Sequence, residues 1–235
     1  MIWAYLAAWT VGAPIVFPPE SRMWSSTGLF FLLCVGFWEL RTGSVTNPAY
    51  WVKDYFVDEI SQRKNRKAPF DRMIIMGLID ILAHMTGFWL FLKTLDTMGE
   101  TAAISIIAQP PNFPNCGWTW AFLTEVIVTS GTQLAATFPE SLGITGRLGN
   151  LVGSFIGVYI FMIWGMSYTG AVMNPASALA STVLSPRFSK TAKYSLLSFF
   201  RTMIVYQIAP ILGGVLSGIV EGGIERDRIK REKFE

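Results

Sequence analysis

The sequence predicts an all-α membrane protein with six transmembrane helices and two short half-helices that enter the membrane from opposite sides. Of the 235 residues, 51% are hydrophobic and 15% are charged, which suits an integral membrane protein better than a soluble domain. The apolar residues fall into runs whose lengths approach the length of about 20 residues that a helix needs to cross a bilayer. The tripeptide Asn-Pro-Ala also occurs twice, once in each half of the chain, beginning at Asn47 and at Asn174.

The two copies lie in longer matching stretches, which indicates an internal repeat. Residues 42–49 and 169–176 share Thr, Gly, Val, Asn, Pro and Ala in the same register. Asn is a strong helix N-cap, and Pro suits the first helical position because its missing N–H would have no partner there. Each copy therefore predicts a helix that starts within the apolar chain, after a loop that contains Gly43 or Gly170. Discontinuous helices of this kind line sites near mid-membrane in inverted-repeat proteins.

The first repeat is predicted over residues 1–92 of a single domain that spans residues 1–235. A signal peptide is the alternative for its first apolar run, but no positively charged start precedes that run. The run is short for a full crossing, so we expect a first helix whose N-terminal part is truncated or missing. The predicted elements are a first span over 2–17, a second span over 24–40, a short helix over 49–60, a basic loop over 61–67 and a third span over 70–92.

The second repeat is predicted over residues 117–220, after an extracytosolic connection over 93–116. Because this connection is rich in proline, we expect residues 93–115 to be extended over the surface. The predicted elements after it are a fourth span over 117–138, a fifth span over 147–168, a short helix ending at 184, a sixth span over 194–220 and a charged, solvated tail over 221–235 that is helical or disordered. Glycines at 149, 153 and 157 recur every four residues, which lets helix backbones approach closely.

Basic residues set the expected orientation. Six of them lie between the second and third spans, whereas the connection over 93–116 contains only Lys93. By the positive-inside rule, the basic loop and the C-terminus face the cytosol. Arg231 and Lys233 also resemble a dibasic retrieval signal of the endoplasmic reticulum. We therefore expect a multi-pass protein of an intracellular membrane such as the endoplasmic reticulum, or of the plasma membrane.

The paired Asn-Pro-Ala stretches resemble the aquaporin (major intrinsic protein) family. Residues 205–213 resemble the family's last-helix pattern of an aromatic residue, a small residue, Pro and Gly, and Glu125 with Thr129 and Gln133 resembles its fourth helix. The resemblance implies an aquaporin-like six-helix bundle with two re-entrant half-helices. It also implies a homotetramer in the lipid bilayer, with no catalytic group, cofactor or nucleic-acid partner. The lone histidine and the scattered acidic residues argue against a metal cluster.

The resemblance also assigns pore residues. Asn47, Pro48 and Ala49 form one half of the pore centre, and Asn174, Pro175 and Ala176 form the other. The two helix N-termini carry positive dipole ends that oppose cations, and the Asn amides can donate hydrogen bonds to a passing oxygen.

The family's outer filter maps onto Thr27, Met162, Ala171 and Ser177. Orthodox members have Arg where Ser177 stands, so this quartet contains no cation and no large aromatic ring. A wider, less polar mouth follows, and this departure favours the unorthodox intracellular superaquaporin branch. One feature counts against that branch: its members typically have a first copy that deviates from Asn-Pro-Ala, whereas the first copy here is an intact Asn-Pro-Ala.

Glu125 and Tyr50 are two further candidates. By resemblance, Glu125 accepts hydrogen bonds from the backbone of the loop before Asn174 and so supports the pore, together with Gly43 and Gly170. The matching carboxylate of the first helix has no counterpart in residues 2–17. Tyr50 follows the first copy as Ser177 follows the second, so its ring either narrows the cytosolic end of the pore or packs between helices.

Charged residues near Tyr50 and in the third span lead to two more expectations. We expect Lys53 and Asp54 to reach a solvated vestibule. Asp80 and His84 lie one helical turn apart, and a structural pair is favoured over a proton relay.

The sequence thus predicts a passive channel, not an enzyme, for water and other small neutral solutes such as glycerol and hydrogen peroxide. A non-conducting structural homologue and, less favoured, a secondary transporter are the alternatives.

Overall fold

The computed structural model describes residues 47–62, 69–113, 115–141, 147–189 and 195–232. The first two predicted spans, Thr27, Gly43 and most of the basic loop lie outside these residues. The helices, labelled from the first described one, are α1 Pro48–Ser61, α2 Phe70–Thr97, α3 Thr101–Ile107, α4 Trp118–Ser141, α5 Arg147–Thr169, α6 Pro175–Phe188, α7 Leu196–Met203 and α8 Ala209–Glu232. A π-helical turn, Ile204–Ile208, joins α7 to α8.

The predicted extended connection over 93–115 is wrong in its first half. Helix α2 continues to Thr97, and α3 forms after the turn at Gly99. Gly99 takes a φ of +79°, the left-handed conformation that ends helices and that glycine adopts without strain. The stretch from Thr101 to Ile107 has no proline and carries the apolar residues Ala103 and Ile104 on its buried side. Proline content over the whole connection therefore hid a local helix, and irregular chain begins only after Ile107.

Two described stretches, Phe70–Thr97 and Leu196–Glu232, are long and apolar enough to cross a membrane by length and composition. Helix α4 is of similar length, but its mean hydropathy is lowered by polar side chains that are buried inside the protein, among them Glu125 and Gln133. Polar groups of this kind face the interior of a helical bundle and not the lipid.

One compact unit of the chain includes Ile79–Pro111 and Ala176–Ser198. Its hydrophobic core is formed by α2, α3 and α6, and the buried members are Phe91, Leu92, Leu95, Ile104, Ala108 and Leu184. This core explains why α3 is helical, since Ile104 and Ala108 lie four residues apart on the face that packs into it.

The second unit includes Asn47–Leu78, Asn112–Pro175 and Phe199–Glu235. Small residues bring its helices together: a Cβ placed on Gly157 of α5 would lie 2.6 Å from the Ala135 Cβ of α4. The predicted close approach of α5 to a neighbour is therefore confirmed at Gly157. The half-helix α1 packs against α8 in the same way, with Gly218 against the Lys53 backbone. The first Asn-Pro-Ala copy belongs to this unit, together with Asn174 and Pro175 of the second copy.

Candidate functional site

The first helix start follows the predicted capping geometry. Asn47 has an extended backbone, with φ −146° and ψ 114°, and its Oδ1 accepts a hydrogen bond of 2.9 Å from the Ala49 N–H. Pro48 occupies the first turn of α1, where no donor is required of it. Pro48 and Ala49 are buried. The sequence therefore fixes this turn locally, through an Asn cap followed by Pro.

The second helix start has a more strained approach. Gly170, Ala171 and Met173 have φ values of +77°, +49° and +51°, and α6 begins at Pro175, directly after the buried Asn174. Glycine tolerates the left-handed region, but the same backbone conformation at Ala171 and at Met173 costs roughly 1–2 kcal/mol of stability each. Such a loop persists only when its surroundings hold it in place.

Glu125 holds this loop. Its Oε1 accepts from the Val172 N–H at 3.1 Å, and its Oε2 accepts from the Met173 N–H at 2.9 Å. The carboxylate belongs to α4 and is fully buried. The contact expected from the family resemblance is therefore present. Hydrogen bonds to a charged acceptor contribute about 1.5–3 kcal/mol each, enough to offset the strain at Ala171 and Met173.

A direct hydrogen bond joins the two helix starts. Asn47 Nδ2 donates to the Met173 carbonyl oxygen at 3.1 Å, across 126 residues of sequence. The amide orientation is determined by the bond that Oδ1 accepts from Ala49. An Asn amide carries two N–H donors, so one remains after the bond to Met173. Asn47 is half-buried, and this second donor can serve a small oxygen-containing molecule.

The π-helical turn places two consecutive residues against the second helix start. The Tyr206 hydroxyl is 2.8 Å from the Asn112 carbonyl and 2.9 Å from the Thr169 carbonyl, so it can donate to either. Gln207 Nε2 donates to the Pro175 carbonyl at 2.9 Å. Single π-helical turns occur often at functional sites. The sequence indicates this stretch only through its family-like pattern, which does not predict the contacts of Tyr206 and Gln207.

The comparisons with known proteins agree with this architecture. A family model described as "Major intrinsic protein" matches residues 82–221, more than half of the chain. The chain belongs to the major intrinsic protein family. Members of the family are membrane channels, not enzymes, and pass water and small solutes across a lipid bilayer. The chain is accordingly a multi-pass membrane protein.

Two relatives are similar over different extents. The lens fiber major intrinsic protein of Lithobates pipiens is 37% identical over 87 residues, which is 36% of this chain. The match spans only 27% of the length of that relative. The X-ray structure of the aquaglyceroporin from Plasmodium falciparum has a TM-score of 0.67 and 16% identity, covering 98% of this chain and 97% of that chain. This structural likeness confirms the predicted fold, an aquaporin-like helical bundle with half-helices.

The predicted filter residues of this family member are only partly described. Met162 on α5 is half-buried, Ala171 is 6% exposed, and Ser177 on α6 is exposed. Their grouping into a filter stays a prediction. The same holds for the pore-lining role of the Asn-Pro-Ala residues.

The expectation for Lys53 is wrong. Its side chain is 3% exposed, and its Nζ forms an ion pair of 2.6 Å with Glu221 Oε2 on α8. The Lys53 side chain is therefore held inside the protein against α8 and does not reach solvent. Asp54 is half-buried. Sequence reasoning could not anticipate the ion pair, because the partners lie far apart in the chain and Glu221 follows an apolar span.

Asp80 and His84 are both buried on α2. His84 Nδ1 lies 2.8 Å from the Asp80 backbone oxygen. The one-turn spacing therefore brings the imidazole to the Asp80 backbone carbonyl, whereas the expected pairing of the two side chains stays a prediction.

Proposed function

We propose that this chain is a passive channel for water and other small neutral solutes, such as glycerol and hydrogen peroxide. The hydrogen bond from Asn47 Nδ2 to the Met173 carbonyl carries the proposal. It sets the starts of two half-helices side by side, each preceded by an Asn. Two helix N-termini that meet in this way concentrate positive partial charge at one place in the membrane.

Such a centre discriminates between solutes by physical chemistry alone. A neutral hydroxylated molecule can exchange hydrogen bonds with water for hydrogen bonds with an Asn amide, so its transfer costs little. A cation meets the positive ends of the helices and cannot recover its hydration there. Glu125, the carboxylate at this loop, already accepts two backbone bonds and offers no ready cation site.

The proposed outer filter is Thr27, Met162, Ala171 and Ser177, from the family resemblance. With Ser177 in place of Arg, the mouth is wider and less polar, which supports glycerol and hydrogen peroxide beside water as permeants. The same departure supports the superaquaporin branch and an intracellular membrane, with the C-terminus in the cytosol. A homotetramer with one path per subunit is the proposed assembly.

Stopped-flow light scattering of proteoliposomes tests the proposal. The purified full chain is reconstituted, and shrinkage is recorded under an impermeant osmolyte and then under glycerol. We expect water permeability above that of empty liposomes, without saturation and without dependence on a sodium or proton gradient. Permeability equal to that of empty liposomes would support a non-conducting homologue, and saturable ion-dependent uptake would support a transporter.

A further inference from the structure

Two adjacent side chains of the π-helical turn contact the two ends of one loop. This loop, residues 169–175, runs from the last residue of α5 to the first residue of α6. At one end, the Thr169 carbonyl lies 2.9 Å from the Tyr206 hydroxyl. At the other end, the Pro175 carbonyl accepts a hydrogen bond of 2.9 Å from Gln207 Nε2. Tyr206 and Thr169 are buried and Gln207 is half-buried, so both contacts lie inside the protein.

The sequence accounts for the irregular turn that carries these two side chains. Pro210 has no N–H, so it cannot donate to the carbonyl of Tyr206, four residues earlier, as a regular α-helix requires. The backbone instead forms the π-helical turn Ile204–Ile208, and the Ala209 N–H bonds to the Ile204 oxygen, five residues back. A proline within the last span therefore interrupts the regular helix at the place where its side chains contact the loop.

The loop needs support because its own backbone is strained. Ala171 and Met173 have φ values of +49° and +51°, which are costly for residues other than glycine. Glu125 binds the middle of the loop through two backbone N–H groups, and Asn47 donates to the Met173 carbonyl. These contacts act on the middle of the loop, whereas the two contacts from the π-helical turn act on its ends.

The contact from Gln207 requires a donor at this position. The Pro175 carbonyl can only accept, so the Nε2 side of the amide must face it. Methionine has a side chain of similar length but no N–H donor, whereas histidine carries a ring N–H at a similar reach. The contact can therefore be removed with Gln207→Met and restored with Gln207→His.

We propose that Tyr206 and Gln207 are positioning residues for the second helix start: they hold the strained loop, and with it Asn174, in the arrangement that permeation requires. The requirement for permeation rests on the proposed channel function, whereas the hold on the loop can be measured without it. Loss of either contact releases one end of the loop and leaves the surrounding helices intact.

Hydrogen–deuterium exchange of the full chain in proteoliposomes, followed by mass spectrometry, tests the hold on the loop. The amides of residues 171–174 donate hydrogen bonds within the loop or to Glu125, so their exchange reports opening of the loop. Gln207→Met should speed their exchange about fivefold, the effect expected for one lost hydrogen bond. Gln207→His should return the exchange to the wild-type rate.

A second variant and a matched control accompany this measurement. Tyr206→Phe removes only the hydroxyl at the other end of the loop, and it should speed exchange of the same amides. Gln109→Met makes the same chemical change as Gln207→Met at a Gln whose amide donates to the nearby Ser105 carbonyl, and it should leave exchange in the loop unchanged. Exchange of the α2 amides should stay at the wild-type rate in the variants of Tyr206 and Gln207.

Water permeability, normalised to assembled protein, connects the loop to the channel. Gln207→Met and Tyr206→Phe should each lower it, because Asn174 is no longer held between two fixed ends of the loop. Gln207→His should restore it.

The outcomes separate this inference from the channel function. Faster exchange confined to the loop together with lower permeability, both reversed by Gln207→His, supports the inference. Unchanged exchange in the loop, or an equal rise in α2, overturns it, because a general loss of stability would act on all helices. If the wild type conducts and Gln207→Met conducts equally well, the inference is overturned while the channel function stands. If the wild type does not conduct, the channel function is overturned, and the exchange rates alone decide whether the two residues hold the loop.

Discussion

Replacing Glu125 with Gln removes the charge that holds the loop before the second helix start. The carboxylate offers one oxygen to each of two N–H donors, at 3.1 Å to Val172 and 2.9 Å to Met173. A Gln amide has a single oxygen, so its NH2 group must face one of these donors. One buried N–H then has no acceptor, which costs about 1–3 kcal/mol, and the other exchanges a charged acceptor for a neutral one, which costs about 1 kcal/mol. We expect a loss of about 2–4 kcal/mol, because the fully buried site excludes compensating solvent.

This loss is measured by thermal unfolding of the detergent-solubilised protein, followed by intrinsic tryptophan fluorescence, and by water permeability in proteoliposomes. Glu232→Gln serves as the control, because Glu232 is exposed at the end of α8 and its pairing with Arg228 is worth less than about 1 kcal/mol. Glu125→Gln should lower both the unfolding temperature and the permeability, whereas Glu232→Gln should lower neither. Equal unfolding temperatures for Glu125→Gln and wild type would refute the assignment of Glu125 as the support of this loop.

Three further predictions concern the proposed pore and its packing. Asn174→Asp should impair water permeability more than it impairs folding, since a carboxylate still caps a helix but cannot donate a hydrogen bond to a passing molecule. Wild-type water permeability of the assembled variant would contradict the pore role of Asn174. Ser177→Arg should lower glycerol flux more than water flux in stopped-flow measurements, and equal losses would remove Ser177 from the constriction. Gly218→Ala should lower the free energy of unfolding by about 1–3 kcal/mol, because the added Cβ would lie 2.6 Å from the Lys53 carbonyl. Gly223→Ala, with no atom within 4 Å, should not lower it, and a similar loss at both positions would show that the α1–α8 contact is not responsible.

The sequence predicted the features that local chemistry and internal repetition determine. Asn47 followed by Pro48 specifies a capped helix start whatever surrounds it, and the repeat at Asn174 predicts a second one. The starts of α2, α4 and α5 followed from the apolar runs within one residue, whereas α2 and α8 continue beyond their predicted spans to Thr97 and Glu232. The loop contact of Glu125 was accessible only through the family resemblance, because spacing alone does not indicate which backbone a distant carboxylate will meet.

Contacts between distant segments could not be predicted. The pair of Lys53 and Glu221 depends on how closely α1 approaches α8, and no local pattern encodes that distance. The glycines at 214, 218 and 222 were a usable signal, since four-residue spacing of small residues marks close helix contacts, but they do not identify the partner helix. The grouping of the proposed filter residues also depends on contacts between distant segments, which no local pattern predicts. Thr27, one of these residues, lies outside the described residues.

The glycine contact between α1 and α8 has a consequence for the order in which the protein is built. Ala49 is synthesised 165 residues before Gly214, its close neighbour in the finished structure. At the usual pace of translation, the first half-helix waits on the order of ten seconds for this partner, with the Lys53 charge not yet matched by Glu221. Assembly of the first helix start is therefore a late event, and every nascent chain must keep a lysine-bearing half-helix at the membrane until its last span arrives.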